Sequence, residues 1–167
     1  MDAADFNTQI LVPALAWFIA HAPTIPVSRD VHVLMLAIAG QEGNWSERVQ
    51  SGDGPAHGFW QFERGGGVAG VLHHPVTGPI ADTLCAAVPV DSNPPAVWGL
   101  FATEKGDSLA VSFARLLLWT DPHAIPPPTD ENGTWNYYVR NWRPGRPHQD
   151  GWHARITAAN AAVKELT

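Results

Sequence analysis

A mainly α fold with a small β element is the expectation from this chain, and three observations carry it. Apolar residues recur at helical spacing in one segment after another, prolines and glycines punctuate the ends of those segments, and only residues 43–62 suggest any strand. The 167 residues are the size of one ordinary domain, so a single domain over 1–167 is expected. With 45% hydrophobic and 16% charged residues the balance is that of a globular protein.

The first helix is expected at about 6–21, from Ile10, Ala14, Trp17 and Phe18 on one face, and the two prolines of Ala22-Pro-Thr-Ile-Pro26 stop it. Its apolar stretch has the length of a signal-peptide core, but Asp2 and Asp5 precede it with no Lys or Arg. It is also too short, and too interrupted by Pro13, to span a bilayer. A core helix is therefore expected, with synthesis in the cytoplasm, no cleaved signal peptide and no stable membrane insertion. Ser28 is the natural N-cap of the second helix, with Asp30 in its first turn and Val31, Leu34, Met35, Ile38 and Ala39 on one face. That helix should run to Gln41-Glu42 and end at Gly43-Asn44.

Residues 43–58 hold four glycines and read as loop or short hairpin, and Phe59-Trp60-Gln61-Phe62 is a short apolar step out of it. Further helices are expected over Gly65 to Leu72, Asp82 to Val88, Pro94 to Thr103, Ser108 to Trp119, Trp135 to Trp142 and Trp152 to Val163. Pro122 to Pro128 is a connector, and Arg143-Pro-Gly-Arg-Pro147 is the turn before the last helix.

A net charge of −6 removes the basic footprint that binds phosphate backbones, so no nucleic-acid partner is expected. The lone Cys85 can form neither a disulfide within the chain nor a thiolate zinc site, and it reads as a small buried apolar residue. His57, His73 and His74 form no helical pair of ligands, so no metal is expected. Gly65 to Gly70 satisfies Gly-x-Gly-x-x-Gly without the strand and βαβ periodicity of a dinucleotide site, so no cofactor is expected.

The chemistry concentrates in Leu36-Ala-Ile-Ala-Gly-Gln-Glu-Gly-Asn-Trp45, where an apolar helix face runs into a carboxylate. Apolar surroundings and the negative end of the helix both disfavour ionisation of Glu42. A carboxyl kept protonated near neutral pH can give its proton to a leaving-group oxygen, as a general acid for glycosidic cleavage must. The bland alternative is an exposed glutamate in the last turn of a helix.

Sixteen residues after Glu42 comes Gly58-Phe-Trp-Gln61, preceded by Pro55-Ala56-His57. The run from Ile38 to Phe62 resembles the lysozyme-like superfamily, and within it most closely the soluble lytic transglycosylases. In that pattern an apolar helix ends in Glu-Ser, and after a loop comes Gly-Ala-x-Gly-Leu-Met-Gln and then Phe or Ile. Ala56, Gly58, Gln61 and Phe62 match, Phe59 and Trp60 replace Leu and Met, Pro55 replaces the first Gly, and Gly43 stands in place of Ser.

The resemblance implies a helical fold with a small β element beside a cleft. It also implies cleavage of the β-1,4 bond between N-acetylmuramic acid and N-acetylglucosamine in peptidoglycan, by a lytic transglycosylase or muramidase. Glu42 would be the acid, and Gln61 would line the cleft and contact glycan. The family's later Tyr-Asn-x-Gly motif is replaced by Trp135-Asn-Tyr-Tyr-Val-Arg-Asn-Trp142, so Tyr137 or Tyr138 would turn a hydroxyl to the cleft. A second carboxylate, needed only for hydrolysis, would be Asp53 as orienter of a water, while Glu63 would contact substrate or orient Glu42. Asp53 equally suits a tight turn in Ser51-Gly-Asp-Gly54. Rival readings are a hydrolase of chitin-like glycans and a non-enzymatic glycan-binding or structural virion protein. With no signal peptide, an enzyme acting on the cell wall would depend on a pore-forming holin or on delivery with a phage particle.

Eight tryptophans serve cores and sugar faces alike. Trp17, Trp98 and Trp119 are expected in the core. Trp45, Trp60, Trp135 and Trp142 lie near the cleft elements and are candidates for glycan stacking.

Overall fold

In the computed structural model, which describes residues 1–52 and 54–163, the chain is mainly helical with one two-stranded antiparallel sheet. Asp2 caps α1 (Ala3–Phe6) by accepting from the Asp5 amide, and a π-helical turn over Asn7–Leu11 leads into α2 (Val12–His21). The turn widens just before Pro13, whose ring has no N–H to give and would crowd the carbonyl four residues back. The helical segment thus begins a turn earlier than its apolar spacing suggests. It is long and apolar enough to cross a membrane by length and composition, but Phe6, Leu11, Leu15 and Phe18 are buried in the core.

Ser28 caps α3 (Arg29–Gly43) by accepting from the Val31 amide, and Asn44 ends it in the left-handed conformation (φ 48°). The expected single apolar face understates this helix, because every residue from Val31 to Gly40 is buried. Neighbours surround it, including α9 (Trp152–Ala162) and α7 (Asp107–Trp119). The sequence sign of this is the absence of any Asp, Glu, Lys or Arg between Asp30 and Glu42.

The strand-like segment forms β1 (Ala56–His57) and β2 (Phe62–Glu63), paired as Ala56 with Glu63 and His57 with Phe62. Another π-helical turn (Arg64–Val68) leads into α4 (Ala69–His73). Next come α5 (Thr77–Ala87) and α6 (Pro94–Leu100), the latter capped by Asn93. The fifth helix starts five residues before the expected Asp82, with Pro79 in the first turn where no amide bond is needed. Likewise α8 (Glu131–Trp142) starts at the Asp130 cap, a turn before Trp135.

Buried side chains from all these helices form one core cluster, and Cys85 lies within it. Trp119 is a correction: it is 40% exposed, with the Arg115 guanidinium 5.0 Å from its ring. Arg115 itself is buried, and its Nε and Nη2 donate to the Pro26 carbonyl, tying α7 to the connector before α3.

A buried polar chain closes the N- and C-terminal helices over α3. Asn7 Nδ2 donates to the Ala162 carbonyl at 3.1 Å, which leaves its Oδ1 as acceptor, so His32 Nε2 donates to it at 2.6 Å. Burial, aided by the Arg29 charge, pushes the His32 imidazole down to about 4, so the ring is neutral at neutral pH. Asn7→Ala strips both partners at once, and each buried group left unsatisfied costs about 1–3 kcal/mol. Urea unfolding should therefore show a loss of at least about 1 kcal/mol; an unchanged midpoint would remove this chain from the account of stability.

Candidate active site

Glu42 occupies the last turn of α3, and the chain beyond it determines how the carboxyl is presented. Trp45 folds back over the helix end, with its indole Nε1 donating to the Leu36 carbonyl at 2.9 Å. The fold-back needs Gly40, where a Cβ would lie 2.4 Å from the Trp45 ring. Gly43 makes a second close approach: a Cβ there would sit 2.9 Å from the Phe59 carbonyl oxygen. The serine of the resembling pattern therefore does not fit at this position unless the backbone shifts.

The hydrogen bond to the carboxyl comes instead from α8. The Tyr138 hydroxyl donates to Glu42 Oε1 at 2.5 Å. Tyr138 is fixed in turn by aromatic neighbours: its ring stacks on Trp152 (5.3 Å between centroids, 12° between planes) and tilts against Trp135 at 5.2 Å. Trp152 Nε1 donates to Thr134 Oγ1, and Trp142 Nε1 donates to the Trp60 carbonyl, which joins α8 to the hairpin.

Burial pushes the Glu42 carboxyl up to about 7, against the smaller opposite pull of the Tyr138 hydrogen bond, which favours the ionised form. The same contact holds the Tyr138 phenol well above its ordinary value, by burial first and then by the carboxylate charge. Near neutral pH a large share of Glu42 therefore carries a proton.

Glu42 opens on a cleft of about 1260 Å³. Glu47, Gln50 and Ser51 line it from the loop after α3, with Ala56 and residues 61–63 from the hairpin. Residues 65–67 and 69–70 contribute from the glycine-rich turn, and residues 140–146 from the end of α8 onward. The loop after α3 is pinned to α7 by Arg48, whose Nε and Nη2 meet both Asp107 carboxylate oxygens at 2.8 and 2.7 Å. The same guanidinium lies 4.6 Å from the Phe59 ring centroid.

Of the residues singled out in the sequence, Glu42, Gln61 and Glu63 line this one cleft, and Tyr138 touches Glu42. Gln61 is at φ 47°, and its Nε2 donates to the carbonyls of Gly58 (3.0 Å) and Glu47 (3.3 Å). Its amide nitrogen thus braces the hairpin turn, and its carbonyl oxygen is the end left for a ligand.

Two expected contacts are corrected. Trp60 is wholly buried, with its indole donating to the Met35 carbonyl, so it packs the hairpin on α3 and presents no face to glycan. Tyr137 is 1% exposed, donates to the Leu118 carbonyl and lines a separate cavity of about 590 Å³. Asp53 lies outside the described residues.

Trp45 and Trp135 are buried, whereas Trp142 is part-exposed and lines the cleft. His57 stacks on Trp98 with centroids 3.7 Å apart, while His73 and His74 line the cleft. Among the described residues no three His, Cys, Asp or Glu side chains are grouped to hold a metal ion. Glu47, Arg140, Arg143 and Arg146 also lie on the cleft, with no motif in the sequence to single them out. Arg143 and Arg146 stand in a stretch whose prolines and glycine announce only a turn, and Arg140 lies in α8.

No family model, curated protein or solved structure matches this chain.

The close approach at Gly43 is open to a paired test. Gly43→Ala forces a methyl onto the Phe59 carbonyl and should cost about 1–3 kcal/mol, as overpacking does. Gly99→Ala in α6, where a Cβ meets nothing within 4 Å, should leave stability equal or raise it by up to about 1 kcal/mol. Equal urea midpoints for the two variants would contradict the crowding at Gly43.

Proposed function

We propose that this protein cleaves the glycan strands of peptidoglycan, with Glu42 as general acid. The observation that carries the reading is the Glu42 carboxyl, raised to about 7 and hydrogen-bonded by a tyrosine, at the wall of a cleft large enough for several sugar rings. The resemblance of residues 38–62 to the lysozyme-like superfamily supports the same reading and supplies the bond: the β-1,4 link from N-acetylmuramic acid to N-acetylglucosamine.

In the reaction, the Glu42 carboxyl gives its proton to the glycosidic oxygen as the C1–O4 bond breaks, and positive charge spreads over C1 and the ring oxygen of the muramic sugar. Glu42, now a carboxylate, faces that charge and holds the Tyr138 hydrogen bond, which is stronger to a charged acceptor. The 6-hydroxyl of the same sugar attacks C1 and returns its proton to Glu42. The product is a 1,6-anhydro ring, no water is consumed, and the acid is regenerated. Glu63, on the same cleft, would contact the sugar or orient Glu42, and attack by water in place of the 6-hydroxyl would give a free reducing end instead.

Glu42→Gln keeps the side-chain shape and an acceptor for Tyr138 but has no proton to give. General acid catalysis is worth about 10²–10⁴-fold, and the variant should lose at least that much in muropeptide release from purified sacculi. Because the acid must be protonated, the wild-type rate should fall as pH rises through about 7. Mass spectrometry of the products should find anhydro ends, one water lighter than hydrolysed ones. Release by Glu42→Gln at the wild-type rate would end the assignment, and reducing ends alone would convert it to a lysozyme.

A further inference from the structure

The cleft is electrically lopsided. Glu42, Glu47 and Glu63 line it on the side of α3 and the hairpin, whereas Arg140, Arg143 and Arg146 line it where α8 ends. Three of the eight arginines in a chain of net charge −6 therefore meet at one end of one cleft. Arg140 is spoken for, since its Nε lies 2.7 Å from Asp121 Oδ2. Arg143 and Arg146 are exposed, and among the described residues neither has a carboxylate within 4.0 Å.

Arg143 occupies an unusual backbone position. It ends α8 at φ 50°, a left-handed position where glycine is the unstrained choice and a longer side chain costs energy. Its Nε donates to the Arg140 carbonyl at 3.4 Å, and the ring of the adjacent Pro144 narrows its backbone freedom further. His73 and His74 line the same cleft and supply no negative charge to pair with either guanidinium.

An uncharged N-acetylglucosamine polymer offers such groups nothing to pair with. Glycan built on muramic acid carries a lactyl ether, and the peptide attached there ends in and bears free carboxylates. We propose that Arg143 and Arg146 form a carboxylate-binding subsite, which selects glycan bearing acidic peptide substituents over uncharged glycan. The proposal rests on the reading of this cleft as the glycan site, and it names what distinguishes the substrate from chitin-like chains. Guanidinium groups suit the task because their planar donors match a carboxylate two atoms at a time.

The test uses native sacculi and sacculi whose carboxylates have been converted to amides by carbodiimide coupling with ammonia. Wild-type protein and the Arg143→Gln, Arg146→Gln double variant are compared on both. Two exposed ion pairs predict that wild type releases muropeptides about 10-fold more slowly from amidated sacculi. The double variant should be slowed by a similar factor on native sacculi and should match wild type on amidated ones.

A second readout needs no chemistry. Co-sedimentation of the Glu42→Gln protein with sacculi should weaken on amidation, on adding salt and on removing the two arginines. Equal rates and equal sedimentation for the wild-type and arginine-free proteins on native sacculi overturn the subsite and leave the cleavage reading standing. If wild type releases nothing while sedimentation still depends on the arginines and the carboxylates, the cleavage reading falls and the subsite stands.

Discussion

A carboxyl at the C-terminal end of a buried helix meets two unfavourable influences at once, and the site depends on how they are balanced. Water is scarce around it because α3 is enclosed on every side, and the helix end itself presents carbonyl oxygens. Burial pushes such a group toward its neutral form. The Tyr138 hydroxyl supplies a smaller counterweight that favours the ionised form, and the carboxyl lies at about 7. Proton loss and recovery then cost little in either direction, which is what acid catalysis near neutral pH requires.

That contact joins residues 96 positions apart, so the fold must hold both ends. On one side Gly40 and Gly43 let Trp45 and the Phe59 backbone close over the end of α3, which fixes the direction in which Glu42 leaves the helix. On the other, Trp135, Trp142 and Trp152 surround the Tyr138 ring and leave it little rotational freedom. The hairpin connects the two, since the indole of Trp60 bonds to α3 and its carbonyl bonds to Trp142. Tryptophans whose positions suggest sugar platforms are thus largely the frame that aligns Glu42 and Tyr138.

Much of this is legible in the sequence where local rules decide. The caps of α3 at Ser28 and Asn44, the isolated strand-like segment and the position of Glu42 all follow from residue type and spacing. The features without a sequence signal depend on tertiary phase. Tyr137 and Tyr138 are adjacent on α8 and point about 100° apart, so only the packing of that helix decides which hydroxyl reaches Glu42. Trp60 stands in the apolar step beside Gln61, and nothing in its spacing tells that its ring packs inward on α3. The helix starts at Thr77 and Glu131 escape the pattern because Pro79 and Gly133 weaken the local signal, though a first turn tolerates both. Arg143 and Arg146 announce only the turn they occupy, and their common place on the cleft has no one-dimensional signature.

The central claim is that Glu42 exchanges its proton near neutrality, and the most direct measurement is a pH titration of its side-chain carboxyl carbon by NMR, in wild type and in Tyr138→Phe. The account predicts a midpoint at about 7 in wild type and a higher one in Tyr138→Phe, because removing the hydroxyl takes away the group that favours the anion. A wild-type midpoint near 4.5, or one that does not move when the hydroxyl is removed, would contradict it.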